Sequence, residues 1–102
     1  MIARFRLRKF HRLCGHRLGK WCDRLLDKRQ IVADQETIDE LVRYLTEVQV
    51  YDHAHNVYGL YILHKIDPER ALEVAHMLDS EHWTETTCAV KNIIAWTDEK
   101  RA

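Results

Sequence analysis

Residues 60–72 read Leu60-Tyr61-Ile62-Leu63-His64-Lys65-Ile66-Asp67-Pro68-Glu69-Arg70-Ala71-Leu72. An apolar stretch runs into Asp67, a residue that caps helix N-termini well. Pro68 follows, and a proline at the first helical position gives up no hydrogen bond that the helix needs. The stretch therefore predicts one helix ending and the next starting within a single tight turn. The rest of the chain is poorly punctuated, with three Gly and one Pro among 102 residues. Long helices and an all-α single domain without a sheet are expected.

Working outward, the same organisation recurs 33 residues earlier. Asp34-Gln35-Glu36 lies over Asp67-Pro68-Glu69. Ile38, Leu41, Val42 and Leu45 lie over Ala71, Val74, Ala75 and Leu78. Ala54 aligns with Thr87, and Val57, Leu60 and Tyr61 align with Val90, Ile93 and Ile94. Each unit reads as helix, turn, helix. Hairpin 1 spans 34–66, with helices over about 35–48 and 52–66, and hairpin 2 spans 67–97, with helices over about 68–80 and 81–96. Leu41, Leu45, Val57, Tyr61, Val74, Leu78, Val90 and Ile94 are expected in the core.

The segment from Leu60 to Leu72, followed by His76-Met77-Leu78-Asp79-Ser80, resembles the junction of HEAT-type α-helical repeats. In that family an apolar helix ends, an Asp-Pro starts the next, and a short turn carries Asp. The resemblance covers 34–97. It implies a binding scaffold with no catalytic residues. An irregular four- to five-helix bundle built from the same helices is the alternative architecture.

The charge is split along the chain. Residues 1–30 carry ten Arg/Lys and two Asp, whereas residues 31–102 carry six Arg/Lys and fourteen Asp/Glu. Within 1–30, Ala3, Leu7, Phe10, Cys14, Leu18, Trp21 and Leu25 recur at steps of three and four, the spacing of one helical stripe. Arg8, Lys9, Arg12, His16 and Lys20 project from the other side. A basic amphipathic helix over 3–26 is expected. Gly15 and Gly19 lie within it and admit two readings, a break near Gly15 or a close approach by another helix.

Little in the sequence points to catalysis. Cys14, Cys22 and Cys88 are odd in number and sparse, which argues for reduced thiols and a cytoplasmic setting. No apolar run nears the roughly 20 residues of a membrane span. A mitochondrial transit peptide would share the Arg content of the first residues but would add Ser, which they lack. Of the seven histidines, none pairs at i,i+4 as in a helical zinc site, and His76, Asp79 and His82 would converge only through a turn. Iron-binding HEAT-like hydroxylases use His-Glu pairs, and here only the reversed Glu81-His82 stands. No phosphate loop or nucleophile elbow is present. No enzyme activity, cofactor or metal is expected.

The expected function is therefore an interaction protein, an adaptor or inhibitor. Its first contact surface is Arg8, Lys9, Arg12, His16 and Lys20, and its partner is a protein with an acidic surface. Nucleic acid bound through the phosphate backbone is one alternative. An anionic membrane entered by Phe5, Phe10 and Trp21 is another. A homo-oligomer, or neutralisation of the helix by the chain's own acidic body, completes the set. The HEAT resemblance adds a second contact surface. The second helices of such a stack line its concave face, which would display His55, Tyr58, Lys91 and Asn92. Trp21, Trp83, Trp96, Tyr44, Tyr51 and Tyr61 are expected mainly as packing residues.

Overall fold

The computed structural model describes residues 2–48, 53–80 and 87–101. A short strand β1 (Ile2–Arg4) opens the chain, followed by helices α1 (Leu7–Arg12) and α2 (Gly15–Leu26). A second strand β2 (Gln30–Val32) leads into α3 (Gln35–Arg43), which continues as a π-helical turn over Tyr44–Val48. Three helices complete the fold: α4 (His53–Ile66), α5 (Pro68–Ser80) and α6 (Thr87–Arg101). The protein is an all-α, multi-helix globule of 31 × 30 × 25 Å.

The helix starts follow local chemistry. The Asp34 carboxylate accepts from the Thr37 amide at 2.8 Å and caps α3. Asp67 does the same for α5, accepting from the Arg70 amide at 3.2 Å, with Pro68 as the first helical residue. The Asp67 amide in turn donates to Leu63 O at 2.8 Å, so one residue closes α4 and opens α5.

Helix α4 is central and touches α2, α3, α5, α6 and β2. It buries Leu60, Ile62 and Leu63 on several sides, as a helix enclosed by neighbours must. Gly59 makes this enclosure feasible. A Cβ there would lie 3.1 Å from Leu45 Cδ2 and 3.5 Å from Phe10 Cζ. Of the expected core, Leu41, Leu45, Val74, Leu78 and Val90 are buried, while Val57, Tyr61 and Ile94 are half-buried against the cluster. The offset-paired positions Leu41 and Val74, Leu45 and Leu78, and Leu60 and Ile93 are buried alike.

The amino-terminal segment departs from the expected single helix over 3–26. It opens with a strand. β1 pairs in parallel with β2, in the register Ile2 to Gln30, Ala3 to Ile31 and Arg4 to Val32. The expectation of no sheet is thus corrected by a two-stranded one. Parallel strands need a long crossover, and α1 with α2 supplies it. Leu13 and Cys14 are extended, and Gly15 has φ +54°, a left-handed conformation that favours glycine. Nothing lies within 4 Å of a Cβ built at Gly15, so its requirement is conformational. At Gly19 the built Cβ would lie 3.4 Å from the Tyr58 hydroxyl. The break falls at Gly15 and the close approach at Gly19.

The apolar stripe survives the break. Phe10, Leu18 and Leu25 are buried, Ala3, Leu7 and Trp21 are half-buried against the core, and only Cys14 is exposed. Phe5 joins them, meeting Phe10 edge-on at 5.5 Å and stacking on Trp21 at 6.0 Å. The stripe is closed within one chain.

Candidate functional site

The two short helices that replace the single basic helix divide its cations between them. Arg8 and Arg12 are exposed on α1, and His16 and Lys20 are exposed on α2. Lys9 differs. It is half-buried, with Nζ 5.5 Å from the centre of the Trp21 ring, so its charge serves packing as well as the surface. Arg6, Arg17 and Arg24 are also exposed and extend the basic area.

Among the described residues, Arg6, Arg8, Arg12, Arg17, Lys20 and Arg24 make no ion pair. Arg43 pairs with Glu40 at 3.1 Å and Arg70 with Asp39 at 2.9 Å, both within the body. What fixes the segment is the buried stripe, and the charges lie on its outside.

His16 and Lys20, with Gly15, Gly19, Asp23 and Tyr58, line a shallow cleft of about 340 Å³. The Tyr58 hydroxyl is hydrogen-bonded to Asp23, and burial, together with that carboxylate, pushes its pKa above the usual tyrosine value.

The second expected surface does not assemble. His55 is 8% exposed, and its Nε2 lies 3.1 Å from Phe10 O and 3.0 Å from Leu13 O. Both partners are carbonyls, so Nε2 carries the proton and donates. His55 thus donates to carbonyls at the carboxyl end of α1, where helical carbonyls run short of intrahelical partners. Its ring also meets Phe10 edge-on at 5.0 Å. Tyr58 is half-buried beneath α2. The physical reason is common to both: the amino-terminal helices pack over the side of α4 that would have been concave. Lys91 and Asn92 are exposed on α6, and Asn92 Nδ2 donates to the Tyr61 hydroxyl at 3.0 Å.

A larger cleft, of about 630 Å³, opens at the other end of α2. Arg29, Tyr61, His64, Lys65 and Trp96 line it together with Leu26 and Pro68. Lys65 Nζ donates to Leu26 O and so caps the carboxyl end of α2, where a cation is favoured. Trp96, expected in the core, is 40% exposed here, beside Tyr61 at 5.7 Å and His64 at 5.5 Å. Sequence reasoning missed this group because its members come from four helices and the loop after α2, and only Tyr61, His64 and Lys65 share a helical spacing.

Among the described residues no three His, Cys, Asp or Glu side chains cluster closely enough to hold a metal ion. His82, and the side chains of His53 and Asp79, lie outside the described residues, as do Trp83, Tyr51 and the Cys88 side chain. Cys22 is buried, and burial followed by the nearby Asp23 pushes its thiol up to about 12. No helix among the described residues is long and apolar enough to cross a membrane. Compared with protein-family models, curated proteins and solved structures, the chain has no significant match.

Proposed function

We propose that this protein is a non-enzymatic, cytoplasmic interaction protein, an adaptor or inhibitor. It docks the exposed cations of α1 and α2 on the acidic surface of a protein partner. The observation that carries this reading is the separation of packing from charge in the amino-terminal segment. Phe10, Leu18 and Leu25 are buried, while Arg8, Arg12 and Lys20 are exposed and make no ion pair with a described residue. An unneutralised cationic patch attracts an anionic partner and sets its association rate. Burial of Phe5 and Phe10 favours a charged surface contact over membrane insertion, because insertion would have to empty the core.

The body is proposed to be a pair of HEAT-type hairpins, α3 with α4 and α5 with α6, that presents this segment. The matching burial of Leu45 with Leu78 and of Leu60 with Ile93 supports the duplication. Superposing 34–64 on 67–97 tests it, and unrelated environments for these pairs would end it.

The binding test is capture from a lysate of the native host on the wild-type protein and on a variant with Arg8, Arg12, Arg17 and Lys20 all changed to Glu. The recovered component is then titrated across salt. A protein interface with an apolar centre loses mainly association rate as salt rises. Binding that falls log-linearly and steeply with salt would replace the protein partner with nucleic acid.

A further inference from the structure

The cleft beside Trp96 has a composition that the proposed docking surface does not use. It lies between the end of α2, the last two turns of α4, the start of α5 and α6, and shares no residue with the cationic face of Arg8, Arg12 and Lys20. Its volume of about 630 Å³ falls in the usual range of small-molecule sites. Two features meet there.

The first is aromatic. Trp96 is 40% exposed, an unusual condition for a side chain of this size within a folded domain. Tyr61 and His64 flank it with ring centroids at 5.7 and 5.5 Å. Rings grouped in this way offer a stacking surface to a planar group.

The second is cationic. Arg29 is exposed and makes no ion pair with a described residue. Lys65 is anchored by donating to Leu26 O, which uses one of its three N–H groups and holds the ammonium at the cleft wall. Tyr61 accepts from Asn92 at 3.0 Å, which leaves its own hydroxyl proton to donate elsewhere. Among the described residues no carboxylate lines the cleft. A neutral apolar ligand would leave Arg29 and Lys65 without a counter-charge, and a bare inorganic anion would make no use of Trp96.

We propose that this cleft binds a planar aromatic ligand carrying a negative charge, of the class of a nucleoside monophosphate. The ring stacks on Trp96, and the anionic group meets Arg29 and Lys65.

Isothermal titration with adenosine monophosphate on the intact protein tests this, with adenosine and inorganic phosphate as the two half-ligands. The monophosphate should bind saturably at one site, and each half-ligand about tenfold more weakly or worse. Trp96→Leu should weaken binding roughly tenfold, whereas Trp96→Phe, which keeps a stacking ring, should retain most of it. Arg29→Ala should also weaken the monophosphate and leave adenosine unchanged. Arg29 is a surface residue, so this variant reads the site even if a change at Trp96 disturbs the fold. Arg8→Glu with Arg12→Glu should not alter monophosphate affinity, which separates this site from the docking surface. Absence of saturable binding at millimolar monophosphate would overturn the proposal. So would indifference to Arg29→Ala, or loss of binding in the Arg8 and Arg12 variant alone.

Discussion

Replacing Phe10 by Ala asks whether the basic segment is part of the core or an appended arm. Phe10 is 0% exposed. Its ring meets Phe5 at 5.5 Å, His55 at 5.0 Å and Trp21 at 6.4 Å, and it approaches α4 at Gly59. Truncating a buried phenylalanine costs about 3–5 kcal/mol, from lost transfer energy and the cavity left behind. Aromatic pairs add about 0.5–1.5 kcal/mol each, which places Phe10→Ala toward the upper end. A domain of this size has only about 5–15 kcal/mol of total stability. The melting midpoint should therefore drop by roughly 15 °C or more. Urea denaturation followed by far-ultraviolet circular dichroism is the assay, with the slope unchanged and the midpoint lowered. A loss under about 1 kcal/mol would mean that the segment is not packed on α4, and the account of a charged face carried by a buried stripe would fail.

Three further outcomes follow from the same geometry. His55→Ala should cost about 1–3 kcal/mol, because the buried hydrogen bonding of the imidazole to the Phe10 and Leu13 carbonyls is lost, and an unchanged denaturation midpoint would show that it contributes nothing. In a Cys88→Ser background, an aromatic disulfide reagent at neutral pH should titrate one thiol, the exposed Cys14, and reach Cys22 only after unfolding; two fast thiols in the native protein would contradict the burial. Burial, with the charge of His55, holds the His11 imidazole below its usual 6.5, against an opposing pull from Glu40. The unfolded chain therefore takes up this proton more readily, so stability contributed at His11 is present above 6.5 and declines as pH falls through that value. Hydrogen bonds lower the Asp34 and Asp39 carboxyls below 3.8, so their contributions are lost only at more acidic pH. Melting midpoints should fall from pH 7.5 to 5.5, less steeply in His11→Asn, and a rise on acidification would refute the assignment.

The parts of this fold legible in the sequence are those encoded by near neighbours. Asp34 and Asp67-Pro68 announce helix starts because a cap works within three residues of itself. Leu41, Leu45, Val74 and Leu78 are legible because helical periodicity repeats on each element alone. The strands escaped because three residues are too few for an alternating pattern, and Ala3 fitted a helical stripe equally well. His55 was misread as a surface contact because its side of α4 is weakly apolar. Only the arrival of the α1 terminus, more than forty residues earlier in the chain, turns that position into an interior donor. For Trp96 the error ran the other way: its helical position suggested the core, but its neighbours are Tyr61 and His64 at an open cleft. The cations of α1 and α2 were legible as a charged face, yet the division between two helices, and the placement of Lys9 over Trp21, arise from the extended Leu13 and Cys14.

The measurement closest to the central claim is the affinity of the captured partner for wild-type protein and for the variant with Arg8, Arg12, Arg17 and Lys20 changed to Glu, with the melting midpoint taken on the same samples. Exposed cations outside a buried stripe predict an affinity loss of about tenfold or more at a nearly unchanged midpoint. Undiminished affinity, or a midpoint that collapses with the charges, would contradict a docking face on α1 and α2.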